Sequence, residues 1–155
     1  MIKRALVLKD KFLHQLPNGK TLGEEALIPT RSYVRLVEAL HEKNIEVHSL
    51  LGGTGGGISK IAYAKRDFTY RVKKWVAEIP PLFRFMRELG VSLEDCLTTF
   101  NWGIGFYIFV PEEEVDRTIK TGKKAGYDLL ELGQVERGER CVVFEPEKIT
   151  LPAIE

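Results

Sequence analysis

The sequence predicts an α/β fold of the α+β-like kind, with helices packed on a mixed β-sheet. Apolar spacing or terminal residues typical of helices occur in several stretches, among them 30–44, 80–90 and 111–124. Stretches rich in β-branched and aromatic residues have the composition of strands, at 45–51, 67–72, 103–110, 127–135 and 141–145. Because the two kinds of stretch do not alternate strictly, we expect a mixed sheet rather than an all-parallel one.

The helix predictions depend mainly on the residues at their ends. Thr30 can cap a helix that ends at Asn44, a residue that tolerates the left-handed conformation. Pro80 begins the next helix and Gly90 ends it, as the preferences of these two residue types favour. The stretch 111–124 has glutamates near its start and lysines near its end, which suits the helix dipole, and Gly126 is its expected stop.

The strand predictions assign the sheet centre to residues 103–110, the most apolar stretch of the chain. Its near-continuous apolar character indicates burial on both faces. Residues 127–135 and 141–145 are expected to form two closing strands joined by a turn at Gly138. Residues after Pro146 show little pattern, and residues 1–15 form a lead-in or the remnant of an interdomain helix.

Length and composition are those of a soluble globular domain. The 155 residues are 44% apolar and 29% charged, so we expect a single domain over 1–155. A net charge of +1 gives no support for nucleic acid as a partner, and no apolar run approaches the roughly 18 residues of a membrane span. The two cysteines fit no disulfide or metal spacing. We therefore predict a cytoplasmic protein without a metal site.

The run Gly-Gly-Thr-Gly-Gly-Gly at 52–57 is the clearest candidate site. It lies between a predicted strand and a helix-like stretch at 58–64, so backbone N–H groups and the helix dipole converge on one point. Such a point favours an anion, most often a phosphate. Thr54, Gly55, Gly56 and Gly57 are therefore candidate phosphate-binding residues. The alternative is a sharp turn without a ligand.

Neither common nucleotide-binding motif accounts for this run. A Walker loop ends in Gly-Lys-Ser/Thr, whereas Gly57 is followed by Ile58, Ser59 and Lys60. A dinucleotide-binding fingerprint requires a glycine where Ile58 stands. The remaining interpretation is a generic anion cradle that includes the Thr54 hydroxyl.

A second candidate lies at 98–105, just before the most apolar strand. Thr99 and Asn101 offer a hydroxyl and an amide where a strand begins, a place suited to meeting a ligand. The alternative is a loop that satisfies its own backbone through its threonine and asparagine side chains.

Several motifs resemble one family in their order and rough spacing. They are Gly-Lys-Thr-Leu-Gly-Glu at 19–24, Pro-Thr-Arg-Ser-Tyr-Val at 29–34, Thr-Gly-Gly-Gly at 54–57, Trp75, Pro-Pro-Leu-Phe at 80–83, Thr-Phe-Asn-Trp-Gly-Ile-Gly at 99–105 and Gly-Gln-Val at 133–135. Together they resemble the C-terminal domain of phosphoribosylformylglycinamidine cyclo-ligase, also called aminoimidazole ribonucleotide synthetase. The resemblance covers nearly all of residues 15–145.

The resemblance implies part of an ATP-driven ring closure in purine biosynthesis. In that family ATP and magnesium are bound mainly by an N-terminal domain, which has no counterpart in this chain, and the enzyme is a dimer. The expected partners are therefore that N-terminal domain or a separate subunit, a second copy of the chain and a phosphorylated small-molecule substrate. The glycine run would hold a phosphate, with Thr99 and Asn101 lining the cleft.

This chain departs from the family pattern at several positions. Gly52 stands where the family has a histidine, so we assign no general base. His48 lies earlier and is expected to have no catalytic role, and Arg71 stands where the family has an acidic residue. These departures keep a second hypothesis open, a stand-alone non-catalytic module that binds a phosphorylated metabolite or a protein.

A third hypothesis is a relative in the wider superfamily of ATP-dependent synthetases and kinases. Members of that superfamily act on thiamine phosphate, selenide or in hydrogenase maturation. The motifs at 29–34 and 99–105 favour the cyclo-ligase instead.

Overall fold

The computed structural model describes residues 8–154, and residues 1–7 of the predicted lead-in lie outside that range. The α-helices of the described residues are α1 (Leu22–Ala26), α2 (Val34–Glu42), α3 (Pro81–Glu88), α4 (Leu93–Thr99) and α5 (Val115–Lys124). The strands are β1 (Ser49–Gly52), β2 (Phe68–Val72), β3 (Phe106–Phe109), β4 (Gly133–Arg137), β5 (Cys141–Phe144) and β6 (Ile149–Pro152). Short 3-10 helices lie at Lys11–Leu13, Ile58–Ala62, Glu112–Glu114 and Glu145–Glu147.

The strands form a four-stranded mixed sheet and a two-stranded ribbon. The sheet has the order β4-β2-β5-β6, in which β2 is antiparallel to β4 and parallel to β5. In the ribbon, β1 and β3 are antiparallel, with Gly52 opposite Phe106. Helices pack around both, which confirms the predicted fold class.

The prediction that residues 103–110 form the sheet centre is wrong. Only Phe106–Phe109 is a strand, and among the described residues it pairs with β1 alone. Tyr107 faces the larger hydrophobic cluster, whereas Ile108 packs against a smaller one around Leu36. β3 is apolar on both faces because it separates two clusters. In the four-stranded sheet, β2 rather than β3 occupies an interior position.

The two predicted closing strands exist but do not pair with each other. β2 lies between β4 and β5, and residues 127–132 are not a strand. The connection passes around the start of β2, where the Gly138 N–H donates to Asp67 O at 3.1 Å and Thr69 Oγ1 donates to Glu139 O at 2.9 Å. The tail, which shows little sequence pattern, adds the edge strand β6.

The helices end largely where predicted, but two begin later. The one predicted from Pro111 is α-helical only from Val115, after the 3-10 turn Glu112–Glu114. Asn44, Gly90 and Gly126 all have positive φ after the last helical turn, as expected. The helix predicted from Thr30 begins only at Val34. Its leading residues are held elsewhere: Arg31 Nη2 donates to Gly126 O at 2.5 Å, and Tyr127 Oη donates to Ser32 O at 2.9 Å.

The larger hydrophobic cluster lies between the four-stranded sheet and helices α3 and α4. It includes fully buried residues of the sheet, of α4 and of the 3-10 helix Ile58–Ala62, among them Phe144, Leu97 and Ile58. The smaller cluster lies where α2 packs near α5 and is centred on Leu36 and Leu40. No helix between residues 8 and 154 is long and apolar enough to span a membrane.

The outer face of the four-stranded sheet carries an ion-pair network around Arg71. Arg71 Nε donates to Glu136 Oε1 at 3.1 Å, and Arg71 Nη1 donates to Glu145 Oε1 at 3.3 Å. Gln134 Nε2 also donates to Glu136, at 2.7 Å. The hydrogen bond from Arg71, followed by that from Gln134, lowers the pKa of Glu136.

Glu136→Gln is expected to make the stability of the fold less sensitive to acid. Because the folded-state pKa of Glu136 is lowered, its stabilisation is present above the unfolded-state pKa and is lost as pH falls through the folded-state pKa. The wild-type melting temperature should therefore fall below about pH 4.5 by roughly 1–3 °C more than that of the variant. Thermal melts between pH 7 and pH 3 measure this difference. Glu139→Gln is the matched control, and an equal effect of both substitutions would contradict the assignment.

Candidate anion-binding site

Strand β1 ends in the glycine loop (residues 52–57), which leads into the 3-10 helix Ile58–Ala62. We call this helix the loop helix. It is shorter than the predicted helix-like stretch 58–64, since one 3-10 turn brings its apolar residues onto the buried side. Thr54 and Gly55 are exposed, whereas Gly53 and Gly57 are buried. The loop therefore has an outer side open to a ligand and an inner side packed on the protein.

Close packing explains two of the glycines without any ligand. A Cβ on Gly53 would lie 2.2 Å from Ile104 O, and one on Gly57 would lie 2.2 Å from Leu97 O. Gly57 also has φ +57°, which a larger residue rarely adopts. A Cβ on Gly55, in contrast, would meet no atom within 4 Å. Gly56 has φ +91°, which a turn also explains, so the turn interpretation leaves only Gly55 without a reason.

The outer side presents unpaired backbone donors. The Gly53 N–H donates to Gly105 O at 2.8 Å, and the Thr54 N–H donates to Gly52 O at 3.0 Å. The next three N–H groups, those of residues 55–57, have no hydrogen-bond partner between residues 8 and 154. Gly55 is exposed and Gly56 half-buried, so solvent or a ligand can reach these two residues.

Lys60 is a further candidate residue of the site that was not predicted from the sequence. Its Nζ donates a short hydrogen bond to Thr54 Oγ1, so the ammonium group lies over the glycine loop. In the sequence, Lys60 is out of place for a Walker motif. The loop helix has three residues per turn, so Ile58 and Ile61 are both buried and Lys60 lies on the outer side, next to the glycine loop. The three-residue spacing of the apolar residues 58 and 61 is the sequence signal that could have predicted this position of Lys60.

The chemistry of these groups suits an anion. An ammonium group, a hydroxyl and free N–H groups can all donate hydrogen bonds to phosphate oxygens. Between residues 8 and 154, no group of three or more His, Cys, Asp or Glu side chains is arranged to hold a metal ion. The donors at the loop therefore fit a phosphate group and do not fit a cation.

Asn101, predicted to line the cleft, lies at the glycine loop and bridges two backbone groups. Its Nδ2 donates to Gly53 O at 3.2 Å, and its Oδ1 accepts from the Gly103 N–H at 3.1 Å. Thr99 is exposed at the end of α4, whose preceding backbone at Leu97 contacts Gly57. The structure thus brings the segment 97–101 to the loop, with Asn101 supporting it.

Asn101→Ala is expected to lower the free energy of unfolding by about 1–3 kcal/mol. The substitution leaves the carbonyl of the buried Gly53 without its partner, and this group then carries a desolvation cost, whereas water can replace the hydrogen bond of the exposed Gly103 N–H. Asn18→Ala is the matched control, because Asn18 also makes two hydrogen bonds but at an exposed turn where water replaces them. Urea denaturation of both variants measures the difference, and equal losses would contradict a bridging role for Asn101.

Aromatic packing fixes the shape of the segment 99–105. Trp102 is buried with φ +51°, and its carbonyl accepts from Trp75 Nε1 at 2.9 Å. The Phe83 ring stacks on Phe100 at 5.0 Å between ring centroids and on Trp102 at 6.1 Å. These aromatic residues of the motifs shared with the family form part of the protein core. Because they flank Asn101 in the sequence, their packing fixes its position.

The histidines lie away from the glycine loop or make ordinary contacts. His48 Nε2 is 3.3 Å from Glu46 Oε1 at the surface, and the His14 ring stacks on Phe85 at 4.8 Å. His41 is exposed near the end of α2. Gly52 contributes only backbone to the loop, through the carbonyl that accepts from Thr54.

Comparison with known proteins identifies relatives over most of the chain. No family model matches it. A phosphoribosylformylglycinamidine cyclo-ligase of Methanopyrus kandleri is 37% identical over 145 residues, which are 92% of this chain and 41% of the relative. The protein of that name from Pyrococcus horikoshii is 36% identical over 148 residues, 96% of this chain and 41% of the relative. One from Clostridium perfringens is 37% identical over 131 residues, 83% of this chain and 39% of the relative.

A solved structure shares the fold. The hydrogenase maturation protein HypE superposes with a TM-score of 0.61 at 19% identity, covering 86% of this chain and 48% of that chain. At this identity the likeness shows the fold alone.

The sequence relatives bear out the resemblance of the motifs. The chain spans about two fifths of the length of the curated relatives it matches, in their C-terminal part. The chain is therefore a homologue of the C-terminal part of the phosphoribosylformylglycinamidine cyclo-ligases.

Proposed function

We propose that the chain is the C-terminal, phosphate- and substrate-binding half of an ATP-dependent cyclo-ligase. The reaction would close the imidazole ring of formylglycinamidine ribonucleotide in purine biosynthesis, in the cytoplasm. The observation that carries the proposal is that the Lys60 ammonium contacts the Thr54 hydroxyl next to three N–H groups, those of residues 55–57, that have no hydrogen-bond partner between residues 8 and 154. The relatives named cyclo-ligase, at 36–37% identity, support it.

Each group of the site has a defined task in this proposal. Thr54 and the N–H groups of Gly55 to Gly57 donate to the phosphate oxygens of the substrate or nucleotide. Lys60 supplies the charge that offsets the phosphate dianion. Thr99 lines the cleft, and Asn101 holds the loop in the shape that aims its donors outward.

The glycine loop can bind part of ATP but not magnesium. A phosphate group of ATP fits the donors of the glycine loop. Magnesium prefers carboxylate and water oxygens and does not fit them. The ion and most of ATP are therefore assigned to an N-terminal ATP-binding domain or separate subunit, which would supply the chemistry of amide activation. No general base is assigned, because Gly52 carries no side chain.

Exposed apolar residues support a partner. Leu27 is 81% exposed, its sequence neighbour Ile28 is half-exposed, and Leu13 is 74% exposed. Large apolar side chains of this kind are typical of surfaces that another domain or chain covers. We propose that the N-terminal ATP-binding part covers them and that the assembled enzyme is a homodimer.

Titration with inorganic phosphate tests the binding role directly. In two-dimensional ¹H–¹⁵N NMR spectra of the chain, we expect the amide signals of Gly55 and Gly56 to shift with saturating behaviour. The amide of Gly126, which lies in a surface turn and donates to Lys123 O at 3.1 Å, serves as internal control. Shifts of equal size at both places would refute a site at the glycine loop.

Reconstitution tests the catalytic part of the proposal. The chain is mixed with the N-terminal part of a cyclo-ligase relative, ATP, magnesium and formylglycinamidine ribonucleotide, and formation of the imidazole product is measured. Turnover that depends on this chain supports the proposal. No turnover from a pair shown to assemble would overturn the catalytic part.

A non-catalytic binding module is the second candidate. Lys60 belongs to this chain and provides the cation of the site without any partner, and the loop has no histidine. Calorimetry with purine-pathway ribonucleotides distinguishes the two. Affinity for the isolated chain that stays the same when the N-terminal part is added favours the module, whereas binding that becomes tighter once the N-terminal part is added favours the half-enzyme.

A further inference from the structure

Arg140 lies where the loop helix, the tail and the four-stranded sheet meet. It directly precedes β5, and its guanidinium group donates to three backbone carbonyls. Nε donates to Ala62 O at 3.1 Å, and Nη2 donates to Tyr63 O at 3.4 Å and to Ile154 O at 2.6 Å. One side chain therefore ties together segments that are 78 residues and 14 residues distant in the sequence.

The first two acceptors end the loop helix, which carries Lys60. The last carbonyls of a helix have no partners within it, and a cation there is favourable for both hydrogen bonding and the dipole. By holding the carbonyls of Ala62 and Tyr63, Arg140 holds the end of a helix only five residues long. The direction in which Lys60 leaves this helix, toward Thr54, depends on that anchoring.

The third acceptor belongs to the tail, which lies against the glycine loop. Side-chain atoms of Ile154 lie 3.4 and 3.6 Å from the position that a Cβ on Gly56 would take. Ile154 lies beyond the last strand, β6, so pairing within the sheet does not hold it. The hydrogen bond from Arg140 keeps its side chain against Gly56, where it forms one wall of the candidate site.

Arginine suits this position better than lysine. A guanidinium group donates hydrogen bonds in several fixed directions, so it can bind carbonyls on two sides at once. The single ammonium group of a lysine cannot make the same set of hydrogen bonds. Among residues 8–154, Arg140 has no carboxylate within 4.0 Å. Its contacts are therefore those of a backbone anchor rather than of a surface ion pair.

We propose that Arg140 is a positioning residue of the anion site. It does not touch the ligand; it sets Lys60 over the glycine loop and holds Ile154 against Gly56. This inference rests on the proposed phosphate-binding role of the loop.

The test compares Arg140→Lys with the matched control Arg137→Lys. Both keep the charge, and Arg137 is exposed and donates no side-chain hydrogen bond to the described residues. For Arg140→Lys we expect loss of the NOE between the Ile154 methyl groups and the Gly56 Hα, and faster amide exchange at residues 61–63. We also expect inorganic phosphate to bind about fivefold more weakly, the effect of one net hydrogen bond. Arg137→Lys should change none of these, and thermal melts show that both variants are folded.

The outcomes separate this inference from the proposed function. An unchanged NOE and unchanged exchange in Arg140→Lys would overturn the anchoring. A lost NOE with unchanged phosphate affinity would make Arg140 merely structural and would overturn the positioning role. If phosphate shifts no amide of Gly55 or Gly56 in the wild type, the proposed function fails. The NOE and the exchange rates then still decide whether Arg140 anchors the loop helix and the tail.

Discussion

Gly57→Ala is expected to lower the free energy of unfolding by about 2–6 kcal/mol. Gly57 has φ +57° and ψ −142°, a region that is strained for any residue with a Cβ and costs about 1–3 kcal/mol. The new Cβ would also lie 2.2 Å from Leu97 O and 2.6 Å from Thr98 C, both backbone atoms that cannot rotate away. Overpacking of this kind costs about a further 1–3 kcal/mol.

A loss of this size is a large part of the stability of a typical domain. We expect the melting temperature to fall by roughly 10 °C, at about 2–4 °C for each kcal/mol in a chain of this length. Gly55→Ala is the matched control in the same loop, because its Cβ would enter open space and the expected change is within about 0.5 kcal/mol. Melting temperatures measured by circular dichroism compare the two. If Gly57→Ala melted within 2 °C of the wild type, on the order of the control effect, the packing account of the loop would be wrong.

Lys60→Met is expected to weaken phosphate binding at least about tenfold, since a hydrogen bond to a charged group contributes about 1.5–3 kcal/mol. Methionine keeps the length and the apolar stem of the side chain but removes the ammonium group. The stability of the fold should change by less than about 0.5 kcal/mol, because the hydrogen bond to Thr54 is exposed. NMR titration and calorimetry with inorganic phosphate measure the affinity.

Lys65→Met is the control for a general loss of positive charge. Lys65 is exposed, lies five residues further on and makes no side-chain hydrogen bond within residues 8–154. Its replacement should change the affinity less than about twofold at physiological salt, where screening limits the reach of surface charges to about 8 Å. Equal losses in both variants would mean that Lys60 acts only through net charge, and the proposed contact would be wrong.

Local signals in the sequence predicted much of the fold. Asn44, Gly90 and Gly126 end helices in left-handed conformations, and Pro80-Pro81 begins α3. The glycine loop follows a strand and precedes a helical turn, as its flanking residues indicate. These features depend on the φ and ψ preferences of one residue and on hydrogen bonds within a few residues, so a short stretch contains the information.

Pairing between strands was predicted less well. Placing residues 103–110 at a sheet centre assumed that burial on both faces means a central strand, whereas β3 is buried because two clusters contact it. The separation of β4 from β5 by β2 depends on contacts such as that of Thr69 with Glu139, 70 residues apart. Periodicity within a strand does not specify its neighbour.

The same division applies to the candidate site. The sequence by itself determined the class of fold and the kinship with the cyclo-ligases, and it predicted a phosphate site at Thr54 and Gly55 to Gly57. Only the tertiary structure showed that Gly53 and Gly57 are glycines for packing and that Asn101 is a bridge. It also brought Lys60 to the loop. The physical reason is that a backbone conformation is a local property, whereas the distance between two side chains depends on how every intervening segment packs.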